Sequence, residues 1–214
     1  MLGLPSASEI KKQLPKTQLA VKKGLRPEDR QLLDNNVSRL DLVNQISPQT
    51  IPALLSGKSV KSIFVLQAKV KRKDFDPRAA QLILKLIPQK LILILSFDGE
   101  SRLAVMHEKL LISDWLSDSI WQNENSLKIQ GADLDAVWIG FKCQVSGIVL
   151  DDESDLSEDG FTKCLHAHKE EERLKKLIIR LQKACKAEVQ PKRKFFIHTK
   201  ILSLKKKLEK GTKK

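Results

Sequence analysis

Residues 90–97 read KLILILSF, an apolar run too short to cross a membrane and too continuous for a strand with one wet face. Such a strand has to be covered on both sides, as the inner strands of parallel or mixed sheets are. The residues before it say what covers it. SVKSIFVLQAKVK, residues 59–71, is rich in β-branched residues and has strand length. Asp76-Pro77 then opens a helix, with Asp as the cap and Pro in the first turn, and Ala79, Leu82, Ile83, Leu86 and Ile87 fall on one of its faces until Pro88 stops it. Strand, helix and buried strand make a βαβ unit. Asp98-Gly99 is a hairpin turn signal, and SRLAVMH is the returning partner.

The remaining pattern fills in around this unit. VSRLDLVNQIS, from residue 37, alternates Val37, Leu40, Leu42 and Ile46 with polar residues, as a half-buried strand does. Ser6 and Ser8 before EIKKQL read as the cap of a short helix stopped by Pro15, and Arg26-Pro27-Glu28 opens another, so residues 1–35 are expected to be short helices. KLLISDWL and SLKIQ are further strand candidates. A helix over 133–146 carries Val137, Trp138, Phe141 and Val145. The expected fold class is α+β: a mixed α/β body at 36–150 with the βαβ unit and an antiparallel hairpin, followed by a basic coiled-coil arm.

That arm is where the charge lies. The 214 residues carry a formal net charge of +13, yet from residue 173 onward there are sixteen Lys and Arg against only Glu188 and Glu209. The rest of the chain is close to neutral. Apolar residues in the arm step by three and four: Leu174, Leu177, Leu181 and Ala184, then Ile197, Ile201, Leu204 and Leu208. Pro191 separates two coiled-coil seams, which predicts either a helical hairpin over 161–214 or a kinked arm that pairs with a second copy. Residues 151–160 form a linker in which DDESDLSED supplies six acids in nine residues, without the ligand spacing or closing Glu of an EF-hand loop.

A polycation of this density attracts nucleic-acid phosphates by counterion release. The candidate contacts are Lys192, Arg193, Lys194, Lys200, Lys205, Lys206 and Lys207, together with Lys71, Arg72 and Lys73 at the end of the long strand. Aromatic residues make up 5% of the chain and Tyr is absent, which favours backbone contact over base stacking. Cys143, Cys164 and Cys185 form an odd, unclustered set that fits a reducing compartment, and the start MLGLPSASEIKK has no signal-peptide pattern. The expectation is a cytoplasmic, non-membrane protein.

Catalytic and metal motifs are sparse. Cys164-x-His166-x-His168, with His198 further along, puts 164 and 168 on one helix face and 166 on another, so a zinc site would need local unwinding and a fourth ligand. No metal and no cofactor is expected. There is no Gly-rich phosphate loop and no GxSxG. The element order does fit a PD-(D/E)xK nuclease core, with Asp41 on the first strand and Gln67-Ala68-Lys69 where acid-x-Lys would stand. Asp74 is a further carboxylate at the strand end. Gln67 is a neutral amide and a poor Mg²⁺ ligand, so nuclease chemistry through Asp41, Gln67, Lys69 and Asp74 is the alternative reading rather than the main one.

Four separated blocks, MLGLPSASEIKKQLPK, NVSRLDLVNQISPQT, FVLQAKVKRKDFD with IPQKLILILSFDGESRLAVMH, and GADLDAVW, resemble a bacterial and archaeal family catalogued as domain of unknown function 4391. The likeness covers roughly residues 1 to 150. It implies a genomic setting beside helicase and DNA methyltransferase genes, in restriction-modification or phage-defence clusters. Members of the family often have Asp where Asn36 stands, a departure that further weakens a catalytic acid on the first strand. The function expected from residues and resemblance together is a non-enzymatic accessory subunit that docks on a helicase or methyltransferase and touches DNA or RNA phosphates through its arm. A structural coiled-coil adaptor, which could form a homodimer through the arm, is the third reading.

Overall fold

The computed structural model describes residues 3–17, 19, 24–123, 126–149 and 156–211. Most of the acidic run that begins at residue 151 lies outside them. The chain divides into two compact units, Met1–Glu158 and Asp159–Lys214.

The first unit is built on a seven-stranded sheet. Its strands are β1 (Glu9–Gln13), β2 (Val37–Ile46), β3 (Ile63–Val70), β4 (Lys90–Phe97), β5 (Glu100–Met106), β6 (Leu110–Ile112) and β7 (Leu116–Ser117). The order is β1-β2-β3-β4-β5-β6, with β7 paired to β5. β3 and β4 are parallel and the other pairings are antiparallel. The unit also contains a 3-10 turn at Ser6–Ser8 and helices α1 (Pro27–Asn36), α2 (Pro77–Leu86), α3 (Asp118–Asn123) and α4 (Leu134–Ser146).

The expected βαβ unit is β3-α2-β4, and β4 is buried on both faces as KLILILSF requires. Leu91, Leu93 and Leu95 join Leu66, Ala68 and Ala104 in a cluster with Leu33 of α1 and Ala80 and Ile83 of α2. Ile92 and Ile94, pointing the other way, are buried as well. Val137, Phe141 and Val145 of α4 are buried outside that cluster, and α4 packs on β5 and β6. The DG turn has left-handed backbone at both positions, Asp98 at φ 45° and Gly99 at φ 76°, as a tight type I′ hairpin demands.

Side chains lock the junctions. Asp76 caps α2 by accepting from the Arg78 amide at 2.9 Å, and Asp133 caps α4 by accepting from the Ala136 amide at 2.9 Å. Asn36 is buried between the helices: its amide group donates to the Leu32 carbonyl and its Oδ1 accepts from the Asp76 amide, both at 2.8 Å. An aspartate could make only the second of these bonds, so Asn36 has a structural reason to be an amide. Asp135 accepts from the backbone amides of Lys58 (2.6 Å), Ser59 (3.2 Å) and Val60 (2.8 Å), pinning the loop before β3. Gly57 leaves room for it, since a Cβ there would sit 2.5 Å from the Asp135 Cγ.

Two expectations are corrected. EIKKQ is a strand, β1, and not a helix, so residues 1–35 are not all short helices. Five exposed residues are too few to nucleate a helix on their own, while the open edge of β2 offers ladder hydrogen bonds, so the tertiary partner decides. SLKIQ, residues 126–130, has no strand structure, although Leu127 is buried.

The second unit contains α5 (Glu158–Ala187), all but its first residue, and α6 (Pro191–Gly211). Ile178, Ile201 and Leu204 are buried together, with Leu174, Leu177, Leu181, Cys185, Ile197 and Leu208 packed on them. The two helices therefore share one apolar stripe, joined by a three-residue connection that turns the chain back. Ala184 is exposed and Cys185 takes its place in the stripe, a step of four after Leu181 instead of three. Among the described residues no helix is long and apolar enough to cross a membrane.

Candidate functional site

Three places carry the residues singled out by the sequence. The first is on β2 and β3, where cross-strand register sets Asp41 opposite Gln67 and Arg39 opposite Lys69. Alternation along each strand puts all four on one face. Asp41, Gln67 and Arg39 line a cavity of about 270 Å³ with Glu9, Lys11 and Asn44. The strand pair thus brings Asp41, Gln67 and Lys69 to one face, and the hydrogen bonds there show how they are used. Arg39 Nε donates to both Asp41 oxygens, at 2.9 and 2.7 Å, and the carboxylate's hydrogen bond and charge raise the guanidinium above its ordinary value. The Gln67 amide donates to Ser96 Oγ at 3.3 Å.

Lys11 pairs with Glu9 at 2.7 Å, and the hydrogen bond from its ammonium holds the Glu9 carboxyl below the usual range. Lys11 has φ 51°, a left-handed backbone in a non-glycine residue, where the β1–β2 register shifts. The two carboxylates lining the cavity, Glu9 and Asp41, are each paired with a cation. A dication needs a surplus of negative oxygens, and Asp41 has both of its oxygens occupied by Arg39. Among the described residues no three His, Cys, Asp or Glu side chains gather closely enough to hold a metal ion. Asp74, in the turn after β3, does not line this cavity and is 85% exposed.

The second place is the end of β3. Three of its cations are paired: Arg72 with Asp74 at 3.9 Å, Lys73 with Glu100, and Arg78 with Asp76 at 2.7 Å. Hydrogen bonds from the Arg78 side chain and backbone hold the Asp76 carboxyl below its ordinary value. Sequence reasoning missed what lies beneath. The Arg102 guanidinium of β5 sits 5.8 Å from the Phe75 ring and 5.3 Å from the Trp115 ring, and those two rings meet edge to face at 6.4 Å. Burial pushes Arg102 down, with Asp114 opposing, and its Nε has no hydrogen-bond partner among the described residues. No local pattern announces this cluster, because its members come from three separate segments.

The third place is α6. Lys192, Arg193, Lys194, Lys200, Lys205, Lys206 and Lys207 are all exposed. Among the residues whose side chains are described, which do not include Glu209, none of them has a carboxylate partner. α5 is different: Arg173 pairs with Glu170 at 3.2 Å, Lys175 with Glu171 at 2.6 Å and Lys176 with Glu172 at 3.5 Å. Cys164, His166 and His168 lie on unbroken α5 helix, with His166 exposed and away from the face shared by the other two.

The family model described as domain of unknown function (DUF4391) matches residues 2–208, nearly the whole chain and well past the blocks that carry the sequence resemblance. The chain belongs to the DUF4391 family. The match takes in α5 and most of α6, so the helical pair falls within the family domain and not outside it. No curated protein and no solved structure matches this DUF4391 chain.

Proposed function

We propose that this DUF4391 protein is a non-enzymatic nucleic-acid-binding accessory subunit, in which a basic, coiled-coil-like arm contacts DNA or RNA phosphates. The observation that carries the reading is the row of exposed α6 cations with no carboxylate partner among the described residues. A phosphate backbone supplies the missing counter-charge at many points at once, and its condensed ions are released on binding. The apolar stripe is filled within one chain, which favours an arm that folds back over one that needs a second copy. Docking of the body on a helicase or methyltransferase of a restriction-modification or phage-defence system rests on the family resemblance.

The test is fluorescence anisotropy with labelled 20-mer DNA and RNA at 50 to 300 mM KCl. Binding that steepens as salt falls, with a slope reduced by about 0.9 for each α6 lysine changed to Gln on duplex DNA, is the expected result. Absence of retention at 50 mM salt overturns the proposal. One specific observation favours a second reading, a divergent nuclease: Asp41 faces Gln67 across the strand pair, with Lys69 beside it. The Arg39 clamp on Asp41 weighs against it, and a cleavage assay with Mg²⁺ and Mn²⁺ separates the two.

A further inference from the structure

The charge on α6 is interleaved with something a phosphate-binding face does not need. Phe195 is 74% exposed and Phe196 68% exposed, both within the first two turns of α6. Ile197, the next residue, packs into the apolar stripe, so the helix already has an inward face that does not use these two rings. Leaving two phenyl rings in water costs solubility and contributes nothing to folding, and exposed aromatic surface of this kind marks a contact surface. The neighbours are Lys192, Arg193, Lys194 and Lys200. Phe196 also walls an open hollow of about 370 Å³ with Lys192, Arg193, Ile197 and Glu188.

An occupant must offer flat apolar faces and many negative charges together. Unpaired nucleotides do so: their bases stack on aromatic rings while the linked phosphates take the adjacent cations. A paired duplex offers the phosphates but keeps its base faces internal. We infer that the Phe195–Phe196 pair is a base-stacking platform, and that the arm binds single-stranded nucleic acid in preference to duplex. This rests on the phosphate-binding reading of α6 and adds its substrate class. It also revises the expectation that low aromatic content argues against stacking, because what matters is the placement of two exposed rings among four cations.

The experiment compares the full chain with F195A/F196A and with F195W/F196W, on labelled dT20 and on a blunt 20-bp duplex at matched salt. Expected is a loss of about tenfold on dT20 for the alanine variant, near-unchanged duplex binding, an unchanged salt slope on both, and recovery of dT20 binding by tryptophan. Circular dichroism should show unchanged helicity, since the rings are exposed. An equal effect on both substrates, or none, overturns the platform while leaving phosphate binding intact; a wild-type chain that retains neither substrate removes the phosphate reading itself. Anionic vesicles of phosphatidylglycerol and phosphatidylcholine form the last arm. Tight vesicle binding lost in F195A/F196A, with dT20 binding unaffected, assigns the rings to a lipid surface and overturns the inference.

Discussion

KVKRKDFDPR at 69–78 and KRKFFIHTKILSLKKK at 192–207 look alike as basic stretches of sequence, yet the fold pairs most of the cations of the first. In the first, Arg72, Lys73 and Arg78 each find a carboxylate, one of them Glu100 from a different strand. In the second, the cations of α6 have none among the described residues. Such exposed pairs contribute little to stability. Their effect is on the field: a paired cluster presents little net charge at a distance, whereas a row of cations with few carboxylates beside it attracts a polyanion strongly. The middle of α5 repeats the contrast with α6, since the acids at 170–172 neutralise the cations at 173–176. The number of lysines in a stretch is therefore a poorer guide to binding than the number left without a partner.

The largest expected effect breaks this comparison directly. Changing Lys192, Arg193, Lys194, Lys200, Lys205, Lys206 and Lys207 together to Gln should weaken nucleic-acid binding by on the order of 10³-fold at low salt and remove most of its salt dependence, since each phosphate contact carries about 0.9 of the log–log salt slope on duplex DNA. The matching change of Lys71, Arg72 and Lys73 should cost less than about threefold, because two of the three are already neutralised. Anisotropy titrations of both variants decide the matter, and equal losses would erase the distinction between the stretches.

The next effect concerns what holds α6 in place. Leu204 is 9% exposed in the stripe shared with Ile178 and Ile201. Leu204→Lys removes that side chain and puts a charge in its place, at a cost of about 2 to 5 kcal/mol. Helicity by circular dichroism should fall by the contribution of the helical pair, while the thermal transition of the sheet unit remains. Unchanged helicity would mean that the stripe does not stabilise the arm.

The same contrast shows what a sequence can reveal. β4 was legible because eight residues need two covers and nothing else satisfies them. The Asp76 cap, the Asp98-Gly99 turn and the periodicity of the α5 and α6 stripe were legible because each is encoded in neighbouring turns of the chain. β1 was not, because EIKKQ has no face of its own and takes its conformation from the edge of β2. The pairing of Lys73 with Glu100, the clamp of Arg39 on Asp41 and the Arg102 cluster with Phe75 and Trp115 were out of reach, since they depend on register and on segments distant in the chain. Asp41, Gln67 and Lys69 could be placed together from strand order alone; that Arg39 takes both Asp41 oxygens could not.

A smaller effect tests a pairing of another kind, a carboxylate held by backbone rather than by a cation. Burial pushes the Asp135 carboxyl up, but the amides of Ser59, Val60 and Lys58, with Lys61 nearby, bring it below its ordinary value overall. A carboxyl lowered in the folded state adds stability above its unfolded value, near pH 4, and that addition is lost as the pH falls through the folded value. Asp135→Ala should destabilise the sheet unit by about 1 kcal/mol near neutrality, since water takes over part of the lost bonding at the exposed amides. The gap between variant and wild-type melting temperatures should narrow below about pH 4. A gap that widens in acid would reverse the sign and show that Asp135 is not held as an anion.

The smallest effects are expected where the sequence offered catalytic carboxylates. Asp74 is 85% exposed and meets Arg72 only at 3.9 Å, so Asp74→Ala should leave the melting temperature within about 2 °C of wild type. It frees Arg72, so it should raise nucleic-acid affinity slightly, in the direction the paired and unpaired stretches predict. Asp41 is the stricter case. A nuclease centre would need it to hold a dication and to stabilise the charge building on the phosphate, yet Arg39 already donates to both its oxygens and Gln67 brings no second negative charge. The isolated protein should therefore cut neither plasmid, linear duplex nor single strands with Mg²⁺ or Mn²⁺, and Arg39→Gln, which releases Asp41, should not create cleavage while residue 67 stays an amide. Cleavage that copurifies with the chain and disappears in both Asp41→Ala and Lys69→Ala would make the β2–β3 face an active site and the accessory-subunit reading wrong.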